Sequence, residues 1–390
     1  MRAYTAPPRE GRCAALTKLA FLGHAAHDPR VIPSIAPALF FLAPPGSLDR
    51  FHDALDPGET ARIAVFGDSH VASDGPTSAL RRRLQTRFGD GGHGFVLLGR
   101  TWPLYRHVGV RLGAHPAWAT RRLRERDRIP VRYGLGGARS TARIRGAVAW
   151  AEGEASRIEI VWERVPGGGK ARVRIDGRPA GEIDAGGPFP RTDSRVFDVP
   201  AGRHRIDVQA DGDGPVTLHG AVLERGPGVV VDSLGVPALV STSLERTDRA
   251  ALEEHLRLRA PDLVVFAFGT NDVRFDGFDR RGWRPRIAAI LRLLRDPARS
   301  ACLVVGPIDR VHRRSDGRWV ASLDEVIALQ KGAAADAGCA FFDARAAMGG
   351  AGSMARWMQE RPGLTLRDGV HLSSRGYDEI AALLEKAIAP

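Results

Sequence analysis

The chain has 390 residues, 43% of them hydrophobic and 26% charged, which is enough for a full core and, by length, for two domains. Net charge is +12, carried almost wholly by arginine, since Lys18, Lys170, Lys331 and Lys386 are the only lysines. Such a balance attracts polyanions, yet apart from short runs such as 81–83 and 121–128 the arginines are scattered. Zinc-finger spacing, RNA-binding signatures and basic–aromatic alternation are missing, so nucleic acid is not an expected partner and the arginines read as a solvated basic surface. No segment approaches the roughly 20 apolar residues of a membrane span.

Residues 1–50 read as a leader or extension. Arg2, Arg9 and Arg12 precede CAALTKLAFLGHAA, a faint export pattern that Lys18 interrupts. The first clear strand signal is IAVF (63–66), which runs into Gly67-Asp68-Ser69-His70. Leu80, Leu84 and Phe88 then recur at spacing four and Gly89 closes the helix. From about 104 to 225 the rhythm changes. RIEIVWERV, KARVRIDGRPAGEI, HRIDVQA and VTLHGAVL alternate apolar and polar residues, and Asp176-Gly177 is a hairpin turn signal. This stretch predicts a β-sandwich of jelly-roll type, inserted after the first strand–helix unit. Trp150 and Trp162 within it read as core or half-buried residues rather than a sugar-stacking platform.

After the insertion come VVVD (229–232), LVVFAF (263–268), CLVV (302–305) and CAFFD (339–343), short and continuously apolar as expected of parallel strands covered on both faces. Helical periodicity separates them at 287–294 and 321–337, and a last helix of about 374–388 opens on serines suited to capping. The expected architecture is a three-layer α/β/α flavodoxin-like fold with a parallel sheet of about five strands. Its domain is discontinuous, 51–103 and 226–390, around the sandwich at 104–225. Cys302 and Cys339 lie in apolar runs and read as small core residues. With Cys13 they form an odd set without a close pair, so no disulfide framework is expected.

Open parallel sheets bind ligands beyond the carboxyl ends of their strands. At those ends stand Asp68-Ser69-His70, then Ser233-Leu234-Gly235, then Gly269-Thr270-Asn271-Asp272, and before the last helix RDGVHLSSRGY with Asp368 and His371. As an ordered set, GDSH, a glycine after the second strand, GTND and DGVH resemble the SGNH (GDSL-type) hydrolases. RLQTRFGDGGHGFV, GGAGSMARWMQ and the position of the sandwich further resemble bacterial peptidoglycan and polysaccharide O-acetylesterases that carry a carbohydrate-binding-module-like insertion.

The resemblance implies a serine esterase that removes O-acyl groups, most simply acetyl, from an envelope or extracellular polysaccharide. It also implies a periplasmic or extracellular location, and it requires neither metal nor cofactor. Serine needs a base before it attacks. His371 would supply that base and Asp368 would orient it, leaving a Ser–His dyad if Asp368 were merely on the surface. The backbone N–H groups of Ser69 and Gly235 and the amide of Asn271 would receive the oxyanion, although Gly235 could be a turn glycine and Asn271 a cap. Asp68, His70 and Asp272 are expected to support this set, and His70 competes with His371 for the base role. One departure stands out: Val-Pro-Ala-Leu follows Gly235 where such relatives have Asn-Gly-Ala. His93, His107 and His115 show no ligand spacing, and Asp309 reads as structural. An O-acetyltransferase with the same triad and a non-catalytic glycan-binding protein are the rival readings.

Overall fold

The computed structural model describes residues 40–103, 105–125, 127, 129–296, 299–312 and 317–389, all of which belong to one compact unit. The faint export pattern and Cys13 lie outside them. Two sheets organise the chain.

The first sheet holds Thr60–Gly67, Gly228–Gly235, Leu263–Ala267, Ala301–Val305 and Ala340–Phe342, all parallel, with Phe41–Leu42 added antiparallel at one edge. In chain order the parallel strands lie 2-1-3-4-5, the flavodoxin-like order, whose direction reverses between strands 1 and 3. Consecutive residues Ile63 to Phe66 are all buried, which requires cover on both faces of the sheet. Helix Gly75–Phe88 packs with Ser374–Ile388, and Trp283–Leu294 packs with Leu323–Asp336. The edge strand comes from the region expected to be a leader. Phe40 meets Phe342 edge to face at 5.5 Å and accepts the N–H of Asp343, so the extension is structural from this point on.

The second sheet is antiparallel throughout and has nine strands. Its spine is Val148–Arg164 paired along its length with Arg191–Ala210. The first of these also pairs with Arg111–Ala114 through residues 149–152 and with Val216–Glu224 through 157–163. Ala149, Ala151, Ile158, Ile160, Val208 and Leu218 fill a core of its own. The predicted hairpin forms: Asp176 and Gly177, both at positive φ, join Lys170–Ile175 to Arg178–Asp184. Trp162 is buried, its Nε1 donating to the Asp184 carbonyl. Trp150 lies between Gly113 and the Arg205 guanidinium, 4.2 Å from the ring centroid. Strand Gly92–Val96 also pairs in this sheet, ahead of the composition break near 104.

Charge joins the two sheets. Arg259 is buried and donates to Asp232 on the parallel sheet, at 2.6 and 3.0 Å, and to Glu224 on the antiparallel one, at 2.6 Å. Arg62 completes a second contact to Glu224, and Asp232 also accepts the Phe95 N–H. Burial alone would raise the Glu224 carboxyl, but Arg259 and Arg62 outweigh it and hold it at about 2. Arg81 is likewise buried against Asp74. These arginines are internal struts, which corrects their reading as solvated surface. Removing one partner of such a set leaves an uncompensated buried charge, at a cost of about 3–5 kcal/mol.

Cys302 and Cys339 are disulfide-bonded, against expectation. They stand 37 residues apart in sequence, but their strands are parallel neighbours with Leu303 opposite Ala340, so each cysteine directly precedes a register pair.

Among the described residues, His70, His107, His219 and His255 are buried and His93 is half-buried. His219 Nδ1 and His255 Nε2 meet at 2.9 Å between Val216–Glu224 and helix Arg249–Arg259. Burial lowers all five: His70, His107 and His255 to about 3, His93 to about 4, and His219 well below its ordinary value. Their folded pKa values lie below the unfolded value near 6.5, so protons bind the unfolded chain first. The stability they carry is complete above about pH 6.5 and is lost as pH falls toward 3, by up to about 1.4 kcal/mol per pH unit for each fully depressed histidine. Urea unfolding midpoints should therefore change little from pH 7.5 to 6.5 and fall from there to pH 5, and a flat profile below pH 6.5 would contradict neutral burial of this set.

Candidate active site

The strand Thr60–Gly67 ends beneath a short helix, Ser69–Ala72, that lies almost directly on the sheet. Two glycines, in register with each other, permit this approach. A Cβ on Gly67 would stand 2.3 Å from Val71 Cγ2 and 2.8 Å from the Ala267 carbonyl. On Gly235 it would stand 2.1 Å from the Ala72 nitrogen. Asp68 caps the helix by accepting the His70 N–H at 3.1 Å, and Ser69 becomes its first residue at the carboxyl edge of the sheet.

Ser69 Oγ lies 2.9 Å from His371 Nε2, and His371 Nδ1 lies 2.7 Å from Asp368 Oδ2. Asp368 Oδ1 accepts the N–H groups of Val370 and His371, each at 2.9 Å, so a single carboxylate shapes the turn and also holds the ring. Burial would raise the Asp368 carboxyl, but these backbone N–H groups and His371 outweigh it and keep it below its ordinary value. An ionised Asp368 binds the Nδ1–H tautomer and leaves the Nε2 lone pair facing the serine hydroxyl. Ser373 then accepts the Gly376 N–H and caps the final helix, anchoring the turn.

His70 is buried, its Nδ1 2.8 Å from the Tyr377 hydroxyl and its ring centroid 4.7 Å from that of His371. Burial first, and the nearby His371 second, push its pKa down to about 3, so it stays neutral beside the triad-like set. Burial pushes Asp68 up to about 7 and Asp272 up to about 6. Asp272 accepts Trp283 Nε1 at 2.8 Å and the Ser241 N–H at 3.1 Å, fixing the loop that faces Asn271. Asn271 donates from Nδ2 to the Leu239 carbonyl at 2.9 Å. Its side chain makes no capping bond, and the second amide hydrogen is left to point elsewhere. Tyr377 was missed by sequence reasoning, because one tyrosine on an amphipathic helix carries no distinguishing signal.

Asn271 lines a cleft of about 810 Å³ with Pro237, Ala238 and Leu239. Ala238 has φ +68°, a left-handed conformation that glycine adopts without strain. Gly235 lies below, packed against the Ser69–Ala72 helix. The two positions therefore have opposite requirements. Gly235→Ala should displace the helix and lower stability by about 1–3 kcal/mol. Ala238→Gly should leave the unfolding midpoint near wild type, the strain released (about 1 kcal/mol) offsetting the added freedom of the unfolded chain. Urea midpoints in the reverse order would contradict this assignment.

Residues 202–379 match the GDSL-like lipase/acylhydrolase family. That span is less than half of the chain and includes Gly235, Asn271, Asp368 and His371 but not Ser69. No curated protein matches the sequence. Among solved structures, a peptidoglycan O-acetylesterase has TM-score 0.72 and 23% identity, covering 88% of this chain and 94% of its own. A lipase/acylhydrolase from Enterococcus faecalis covers 41% of this chain and 76% of its own at 21% identity and TM-score 0.33. Together, the sequence match over residues 202–379 and the fold along most of the chain show an α/β protein with a β-rich insertion that resembles the SGNH (GDSL-type) hydrolases.

Proposed function

We propose that the protein is a serine esterase that removes O-acetyl groups from an envelope or extracellular polysaccharide, peptidoglycan being the first candidate. The observation that carries this reading is the line from Ser69 Oγ through His371 to Asp368, 2.9 and 2.7 Å, at the edge of the sheet where strand order reverses. His371 Nε2 takes the hydroxyl proton as Oγ attacks the ester carbonyl. The tetrahedral oxyanion collapses, the C–O bond to the sugar breaks, and His371 returns the proton to the leaving sugar oxygen. Water, deprotonated by the same nitrogen, then cleaves the acyl-serine to release acetate and restore Ser69.

Oxyanion donors are the Ser69 N–H and the free amide hydrogen of Asn271, with the turn that begins at Gly235 offering a third. Fixed donors of this kind need no reorganisation as charge develops. Asp68, His70 and Asp272 act from behind, holding the Ser69 helix, the final helix through Tyr377, and the Ser241 loop. The disulfide favours the location given by the resemblance, since such bonds persist in oxidising compartments such as the periplasm. The similarity to a peptidoglycan O-acetylesterase supports the choice of substrate for the first test.

Acetate release from O-acetylated peptidoglycan by the purified protein is the test. The wild type should release acetate and Ser69→Ala should not. Asn271→Ala should lower turnover by about 100- to 1000-fold, and Asp368→Asn by up to about 10,000-fold through the wrong tautomer. A well-folded wild type that releases none removes peptidoglycan deacetylation. Acetyl appearing on an added sugar acceptor instead of in water would make the enzyme a transferase.

A further inference from the structure

Arg122 and Arg124, from the arginine run in the insertion, have no part in the chemistry above, yet the fold carries them to the cleft that Asn271 lines. Arg122 ends strand Ala119–Arg122 of the antiparallel sheet, and Arg124 follows it. Arg122 donates to the Pro237 carbonyl at 3.1 Å and lies over Trp102, 5.8 Å from the ring centroid. Glu125 hydrogen-bonds to Ser243 Oγ. These contacts tie a segment of the insertion to the loop after Gly235, so it forms one wall of the cleft that Asn271 lines. Arg274, on the loop after Leu263–Ala267, reaches the cleft from the side of the parallel sheet.

Elsewhere the arginines of this protein are commonly matched to a carboxylate, as Arg62, Arg81, Arg132, Arg139 and Arg259 are. Arg122, Arg124 and Arg274 are not: among the described residues none has a carboxylate within ion-pair distance. Two carboxylates also line the cleft, Glu125, which accepts from Ser243 Oγ, and the exposed Asp276, and neither is within ion-pair distance of these arginines. Burial, then the neighbouring Arg124, lowers the pKa of Arg122.

We infer that Arg122, Arg124 and Arg274 form a subsite for a carboxylate on the acylated substrate, so that the enzyme prefers anionic glycan esters to neutral ones. This deepens the esterase reading and rests on it for the word substrate, but the anion site itself can be tested without turnover. A guanidinium matches a carboxylate with paired N–H donors. The subsite adjoins Asn271, an oxyanion donor of the proposed reaction, and that adjacency links the anion site to the ester site. That carboxylate could belong to a uronic acid or to the stem peptide of peptidoglycan.

Binding to the wild-type protein is measured by calorimetry with three probes: trigalacturonate, a muropeptide carrying its stem peptide, and neutral xylotriose. At least one anionic probe should bind at least tenfold more tightly than xylotriose and weaken as salt rises. The Arg124→Gln/Arg274→Gln double variant, both exposed positions, should reduce that binding by about tenfold or more. Which anionic probe binds identifies the source of the carboxylate. Equal binding of xylotriose, failure of both anionic probes, or an unchanged affinity in a folded double variant would overturn the inference. None of these outcomes depends on acetate release, so an inactive but anion-binding protein would refute the esterase reading and leave the subsite standing.

Discussion

The geometry at the sheet's carboxyl edge depends on two backbones coming closer than any side chain would allow. Gly67 and Gly235 face each other across neighbouring parallel strands, and the Ser69–Ala72 helix rests on them with its Ala72 nitrogen where a Gly235 Cβ would project. A methyl group at either position would lift the helix, and with it Ser69, away from His371. Everything else in the site is arranged around that fixed height. The Asp368 turn sets the ring, Asp272 sets the loop of Ser241, and Tyr377 fills the space behind His70.

Much of this architecture can be read from the sequence because it rests on local pattern. Continuous apolar runs mark strands buried on both faces, and all five core strands of the parallel sheet fall on them. Asp176-Gly177 marks a turn by backbone conformation alone. The polar residues at the strand ends announce themselves because such residues have no reason to follow a buried run, and the structure brings Ser69, His371 and Asp368 into one hydrogen-bonded line. What pattern cannot express is pairing between distant segments. Arg259 looks like any helix-terminal arginine until Asp232 and Glu224 arrive from two different sheets. Cys302 and Cys339 become neighbours only through the order of the strands. Gly235 shows the same limit. A glycine at a strand end suggests a turn or a donor, and the packing of the Ser69–Ala72 helix adds a demand for bareness that neither reading contains.

The two sheets divide the work unequally. The parallel one carries Ser69, Asn271, Asp368 and His371, whose relative placement tolerates little change. The antiparallel one meets it through the Arg259 cluster, deep and rigid, and again through Arg122 and Glu125 at the surface of the cleft. The first junction joins the two sheets at depth and the second joins them beside Asn271.

The bond between Cys302 and Cys339 has a further consequence. It joins two adjacent strands near their starts, at the end of the sheet opposite Ser69, and the chain between them includes the crossover helix Leu323–Asp336. The end of one strand and the crossover helix after it thus lie in a covalent ring that closes just before the next strand begins. A protease that cuts within that ring does not separate the protein into pieces: the two fragments stay tied and migrate as one until a reductant releases them. In a compartment rich in secreted proteases, a nick in this part of the molecule would leave Asp368 and His371 still tethered to the strands that carry Ser69 and Asn271.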